Sequence, residues 1–275
     1  MCASCQESAF HMFSETKLTY TLALILTVLV AFLAFSAIAC ATENRHPFSP
    51  GEKLTFQVRW AFIPAGKAVL EVYPIETMNG SKVYHFVLTA RTYPVVDLIY
   101  KVRDRIEAYT DAKLSHSVLY KETKEGKRKR RVVVNFNWEK GEAQRSNFGE
   151  KRAPISVKPG TFDPLSVYYA LRLHDLKENM ELEKPFTDGK KWTLGKARVV
   201  KREKITVLSG TYNTYLVEPD LEDIGGVFKK SKDAKLKIWV TADDRRIPVK
   251  IKSKVAIGSF VGELISVENK ILKRE

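Results

Sequence analysis

The sequence predicts a mainly β fold: a single large antiparallel sheet, strongly curved or closed into a partly open barrel, carrying one or two short helices. Three observations predict it. Apolar residues return at every second position through most of the chain, as on strands with one buried and one wet face. Turn signals interrupt those runs at short intervals. Only one stretch combines a helix start with an apolar helical face.

The 275 residues include 46 Lys and Arg against 32 Asp and Glu, a net charge of +14, with 28% charged and 44% hydrophobic residues. The chain is too apolar for a disordered protein and too charged for a polytopic membrane protein. Cys2, Cys5 and Cys40 are its only cysteines. All lie near the N-terminus, which excludes a disulfide framework or a cysteine metal site in the body.

No charge falls between Leu18 and Thr42, and Leu22 to Ala39 is a nearly unbroken run of Leu, Ala, Val, Ile and Phe. That length spans a bilayer and exceeds an ordinary signal core, whereas the small residues of Ser36-Ala37-Ile38-Ala39-Cys40-Ala41 suit a signal peptidase. A cut before Cys40 leaves a lipidated cysteine, although Ala37 stands where a lipobox usually has Leu. A cut after Ala41 releases a soluble chain, and no cut leaves a membrane anchor. Each outcome puts the body outside the cytoplasm. In a cell with two membranes, Ala41 lacks the Asp that holds lipoproteins in the inner membrane, so a lipidated chain is expected at the outer membrane. Translation from Met12 in place of Met1 sets Lys17 just ahead of the apolar run and removes Cys2 and Cys5. Residues 1–41 are therefore read as a leader, and residues 42–275 as one β-rich domain exported to the periplasm or outer membrane.

Within the body, Leu54, Phe56, Val58, Trp60 and Phe62 alternate with Thr55, Gln57, Arg59 and Ala61 to give a first strand. β-prone runs follow at 67–74, 83–92, 100–109 and 117–121. Val132, Val134, Phe136 and Trp138 alternate with Val133, Asn135 and Asn137. Further runs lie at 199–207, 212–218, 236–241, 247–257 and 260–267. Pro64-Ala65-Gly66, Asn79-Gly80, Glu125-Gly126, Lys140-Gly141, Ser209-Gly210 and Asp243-Asp244 mark the turns, Asn79-Gly80 being the strongest hairpin signal. Residues 143–160, rich in charge, Gly and Pro, read as a linker. Asp163-Pro164 offers an N-cap and a first-turn proline, after which Leu165, Tyr168, Tyr169, Leu171 and Arg172 wrap one face. Val95 to Ile99 adds one turn after Pro94. One domain is favoured over two, because all-β domains of this length are ordinary.

Chemical motifs are sparse. His46, His85, His116 and His174 show no paired helical spacing, and Trp60 and Trp138 sit in phase with apolar neighbours as core residues. No cofactor, metal site or catalytic residue is indicated. Asp104 shares the parity of the apolar positions of its strand, opposite Arg103, Arg105 and Glu107, and an inward carboxylate needs a partner. Asp104, Arg103 and Arg105 are thus candidates for a buried charge network. Bases crowd the hairpin around Gly126, where Lys127, Arg128, Lys129, Arg130 and Arg131 are candidates for binding an anionic ligand or partner. A second basic group comprises Lys229, Lys230, Lys232, Lys235 and Lys237. An exported protein seldom meets nucleic acid, so anionic lipid, lipopolysaccharide or acidic glycan is the expected counterpart. A solvated, pairing-resistant sheet edge explains such charge equally well.

Several stretches together carry a family likeness: Pro47-Phe48-Ser49-Pro50-Gly51-Glu52-Lys53-Leu54, Ile63-Pro64-Ala65-Gly66-Lys67-Ala68, Tyr100 to Glu107, Asp163-Pro164-Leu165-Ser166-Val167-Tyr168-Tyr169, Asp188-Gly189-Lys190-Lys191, Ile238-Trp239-Val240-Thr241 and Arg246-Ile247-Pro248-Val249-Lys250. The sequence resembles the exported bacterial domain-of-unknown-function family numbered 3108. That resemblance implies an exported β-rich protein and brings no residue role with it. Three functions follow as expectations. The first is an envelope protein binding an anionic or amphipathic ligand on a curved sheet, the second a glycan or peptidoglycan hydrolase using paired carboxylates, and the third a scaffold that docks a partner through its basic hairpin.

Overall fold

A computed structural model describes residues 46–127, 129–221, 234–255 and 258–269. Fifteen strands form one antiparallel sheet: β1 (Glu52–Trp60), β2 (Ile63–Met78), β3 (Ser81–Thr92), β4 (Arg103–Asp111), β5 (Ser117–Glu125), β6 (Lys129–Asn137), β7 (Glu142–Asn147), β8 (Glu150–Lys151), β9 (Ile155–Ser156), β10 (Glu181–Thr187), β11 (Trp192–Val207), β12 (Gly210–Pro219), β13 (Lys235–Thr241), β14 (Pro248–Val255) and β15 (Gly258–Asn269). Two short helices accompany them, α1 (Pro94–Asp97) and α2 (Ser166–Leu171). Along β1–β8 and β10–β15 neighbours in sequence pair with each other, as hairpins require, while β9 pairs with β7. The last strand, β15, also pairs with the first, running Glu52↔Asn269 to Trp60↔Phe260. Two meanders, β1–β8 and β10–β15, thereby become one sheet.

The sheet curls but does not close into a barrel, since β8 and β10 end the hydrogen-bonded order. The chain between them spans the gap. Phe162 bridges β10, its N–H donating to Pro185 O (2.9 Å) and its carbonyl accepting from Thr187 N (2.8 Å), while Thr161 O accepts from Ser117 N at the start of β5 (3.1 Å). The β10–β11 turn reaches the wall formed by β6 and β7. A Cβ on Gly189 would lie 2.8 Å from Arg145 Cβ, and the residue has φ +79°, so only glycine fits there.

Period two on the meander fixes the inner face. Across the register run the rows Leu54–Leu70–Leu88–Ile106–Glu122–Val132 and Val72–Phe86–Ala108–Tyr120–Val134–Arg145. The second row is buried throughout. Tyr169 of α2 closes it by stacking on Phe86 (centroids 3.8 Å apart), with Phe48 edge-on to both rings. Burying a large apolar side chain in this way stabilises by roughly 1.5–3 kcal/mol. Asp163 sets the entry to α2: its Oδ1 accepts from Leu165 N and Ser166 N, and its Oδ2 from Ser117 Oγ at 2.6 Å. Burial pushes this carboxyl above the ordinary carboxylate range, against the hydrogen bonds from Ser117 and Ser166. A second cluster, Leu182, Val199, Val217 and Val240, packs under Leu171, Leu176 and Met180.

Three local expectations are corrected. Residues 143–160 hold most of β7 and all of β8 and β9, because polar residues there still find backbone partners, β7 on the flank of β6 and β8 and β9 on β7. Pro64-Ala65-Gly66 lies inside β2, and the first turn is Ala61-Phe62. The register shift after Val58 accommodates the missing Pro64 N–H. Trp60 keeps the parity of Phe56 and Val58 but stands at the end of β1, where burial has run out, and is 38% exposed against Phe260.

Candidate functional site

Burial falls steadily along the inner face towards the end of the sheet that carries the β1–β2, β3–β4 and β5–β6 connections. Beyond the buried rows comes Leu264–Phe56–Ala68–Ala90–Asp104–Lys124–Arg130, in which Leu264 and Phe56 are covered, Ala68, Ala90, Asp104 and Lys124 half-buried and Arg130 exposed. Val58 and Gly262 lie one step further out. A Cβ on Gly262 would meet nothing within 4 Å, so this part of the concave face is open.

The open wall is apolar or small on β1–β3 and ionic on β4–β6. Lys124 Nζ lies between two carboxylates, 2.9 Å from Glu122 Oε1 and 3.4 Å from Asp104 Oδ2. Arg130 Nη1 approaches Glu122 Oε2 at 3.5 Å. Burial raises the Asp104 pKa, and Lys124 pulls it partly back. Deeper along the wall, Arg145 donates to Asp188 O and lies 3.6 Å from Asp188 Oδ2. Burial lowers its guanidinium pKa. Asn147 Oδ1, on the row of Glu122, is buried without a hydrogen-bond partner among the described residues.

Strand parity separates the residues that the sequence grouped together. Asp104 faces inwards beside Ile106 and Ala108. Arg103 and Arg105 face the other side of β4, where Arg103 holds Asp97 and Arg105 donates to Glu107 (3.0 Å). Glu107 Oε1 in turn lies 3.4 Å from His85 Nε2, and His85 is sandwiched between Glu76 (2.6 Å) and the Tyr109 ring (4.2 Å). Burial pushes the Tyr109 phenol up to about 12. Of the basic hairpin, Lys127, Lys129, Arg130 and Arg131 are exposed, and only Arg130 belongs to the inner-face parity. Arg128, Cys40, Met12, Lys229, Lys230 and Lys232 lie outside the described residues. Nothing local in the sequence marks Glu122, Lys124 or Arg145 as site residues. Tyr120-Lys121-Glu122-Thr123-Lys124 is polar at both parities, so its inner side becomes readable only through the pairing with β4. Among the described residues, no group of three or more His, Cys, Asp or Glu converges to hold a metal, and no helix is long and apolar enough to cross a membrane.

Residues 55–265 match the family model described as a protein of unknown function, DUF3108. The chain belongs to the DUF3108 family. No curated protein matches this DUF3108 chain. A crystal structure described as a β-barrel-like protein of the family DUF1849, from Brucella abortus, is similar to it with a TM-score of 0.50 at 11% identity, covering 79% of this chain and 96% of that one. At such identity the likeness concerns the fold alone. Weaker likenesses link the DUF3108 chain to a protein from Bacteroides fragilis described as exported with a YmcC-like fold (TM-score 0.36, 8% identity, covering 80% and 97%). Another, from Parabacteroides distasonis, is described as a lipoprotein (0.31, 11%, covering 80% and 95%).

Proposed function

We propose that this DUF3108 protein is exported to the cell envelope and binds an amphipathic ligand with an anionic head in the open half of its concave face. One observation carries the reading. Asp104, Glu122, Lys124 and Arg130 lie side by side on an inner wall whose neighbours, Ala68, Ala90, Leu88 and Ile106, are apolar and only half-buried. A wall with apolar area and a few fixed polar groups is what an amphipathic ligand requires. Arg130 is the most exposed of the four and makes only a long contact to Glu122, so it meets the acid head. Lys124, fixed by two carboxylates, sets the depth of that head. The uncharged run from Leu18 to Thr42 supports export.

Titration with dodecyl phosphate, followed by tryptophan fluorescence, tests the assignment. Arg130→Gln weakens binding by about 10-fold, the value of a hydrogen bond to a charged group, and Ala90→Trp, which fills the opening, abolishes it. Unchanged affinity in Ala90→Trp would remove the concave face from consideration.

A second reading rests on Asp104 and Glu122 sharing one ammonium. Burial raises the pKa of Asp104, with the Glu122 carboxyl close by across Lys124, and a carboxyl raised in this way beside a second one is the arrangement of a general acid with its partner, as in glycan hydrolysis. Release of reducing ends from peptidoglycan that survives Asp104→Asn together with Glu122→Gln would exclude that pair.

A further inference from the structure

The antiparallel order brings the β1–β2, β3–β4, β5–β6, β7–β8 and β14–β15 connections to the same end of the sheet. They touch in sequence around the rim. Trp60 stacks on Phe260, Ala61 N donates to Ser259 O (2.9 Å), Tyr93 N to Ala65 O (2.9 Å), Lys127 N to Lys101 O (3.0 Å) and Phe148 N to Arg131 O (2.8 Å). From this rim the largest exposed apolar side chains of the described residues project: Phe62 is 96% exposed, Leu98 87%, Val95 77% and Ile99 68%, with Ile63 and Phe148 beside them. Such a concentration at one end is not the scattered apolar exposure of an ordinary surface.

The projection is built, not frayed. Asp97 at the end of α1 accepts from Arg103 Nη2 (2.5 Å) and from Thr92 Oγ1, and Arg103 Nη1 also donates to Thr92 O and Val102 O. Tyr100 N closes the turn on Val96 O (2.8 Å). Gly126 presses against it so closely that a Cβ would lie 2.1 Å from Lys101 O. The backbone polar groups at the base of the projection are thus satisfied while Val95, Leu98 and Ile99 are held in water. Exposed bases flank them. Lys127 Nζ lies over the Tyr100 ring (5.6 Å), and Lys101, Lys129 and Arg131 stand nearby, against exposed Glu125 and Glu150.

From this geometry we infer that the rim docks on an anionic lipid bilayer. Phe62, Val95, Leu98 and Ile99 enter the boundary between headgroups and acyl chains, and Lys101, Lys127, Lys129 and Arg131 lie against lipid phosphates. Apolar insertion joined to surrounding positive charge is the physical pattern of interfacial membrane binding. Charge decides against a second copy of this chain as the occupant, because two copies meeting at this end would oppose basic rim to basic rim. Docking here does not depend on the concave face taking a ligand, although it sets the open half of that face against the membrane.

The test reads the rim locally, so that membrane binding by any other part of the full chain does not count. In the full chain with Cys2, Cys5 and Cys40 replaced by Ser, Leu98→Cys carries an environment-sensitive nitrobenzoxadiazole label. Glu139→Cys, exposed at the opposite end of the sheet, carries the same label as the control. With vesicles of 30% phosphatidylglycerol in phosphatidylcholine, emission from the Leu98 site rises several-fold and shifts to the blue, while the Glu139 site stays aqueous. Lys→Gln at Lys101, Lys127 and Lys129 weakens this response roughly 100-fold in lipid concentration, at about 1 kcal/mol for each base removed. Aqueous emission from Leu98 on anionic vesicles overturns the inference. So does an equal response at both ends, or an apolar signal at Leu98 that grows with protein concentration in the absence of lipid, which would assign the rim to a second copy.

Discussion

Arg172 grips Glu52 inside the sheet through two hydrogen bonds of 2.6 and 3.0 Å, although the two residues are 120 positions apart in the chain. The same guanidinium donates to Arg245 O and Pro47 O and lies over the Phe48 ring. One side chain therefore fastens the start of β1, the end of α2 and the β13–β14 turn. Both Glu52 and Asp163-Pro164 fall in stretches that carry the family likeness, and in the structure both have structural roles.

Removing one partner of that pair leaves an uncompensated buried charge. Arg172→Met is expected to cost about 3–5 kcal/mol in urea unfolding, and Glu52→Leu added to it to restore most of the loss. A single-variant cost below about 1 kcal/mol would show that the grip does not hold the fold together.

Tyr169 is fully buried against Phe86, yet its hydroxyl has no hydrogen-bond partner among the described residues. Tyr169→Phe should therefore change stability by less than about 1 kcal/mol, in either direction. Tyr169→Ala should cost about 3–5 kcal/mol through the cavity it leaves. Thermal and urea unfolding of the two variants separate packing from polarity at this position.

Two glycines make opposite predictions. A Cβ at Gly126 would strike Lys101 O, which is backbone, so Gly126→Ala should cost about 1–3 kcal/mol. Gly262 faces open space, and Gly262→Ala should be neutral or stabilise by up to about 1 kcal/mol. Urea midpoints read both, and a large loss at Gly262 would mean that the concave face is filled there.

Asp104 gives a dependence on pH whose sign follows from its raised pKa. Burial makes the folded state hold this proton more tightly than the unfolded chain does, from an ordinary value of 3.8. Its stabilising contribution is complete below that value and is lost as pH rises through the folded midpoint. Asp104→Asn should accordingly lose less stability than the parent between pH 4 and pH 7. In carboxyl NMR titrations the Asp104 midpoint should lie above 3.8 and move higher still in Lys124→Met, because Lys124 favours the ionised form.

Much of the meander is legible in the sequence because period two and turn chemistry are local. Asn79-Gly80 makes its hairpin with both residues at positive φ, as the dipeptide demands. The inward parity of Asp104 is legible for the same reason. Its partner is not, because Lys124 belongs to a run of bases that reads as surface, and only the register Asp104↔Lys124↔Arg130 brings the three together. Trp60 misleads because alternation gives the face a side chain points to but not how far along the strand the core extends, and β1 outruns its cover at Val58. The apolar rim was hidden for a different reason: Phe62, Val95 and Leu98 belong to separate turns, and nothing local says that those turns share an end.

The pairing of β1 with β15 also orders events in time. The first strand to leave the ribosome finds β2 almost at once, but its other edge waits for residues made more than two hundred positions later. Until they arrive, β1 keeps a row of unpaired peptide groups and Phe56 and Leu54 lack the cover of Leu264. A chain emerging N-terminus first is thus kept from completing its fold prematurely. Completion of the sheet along β1 therefore waits for β15 to be made.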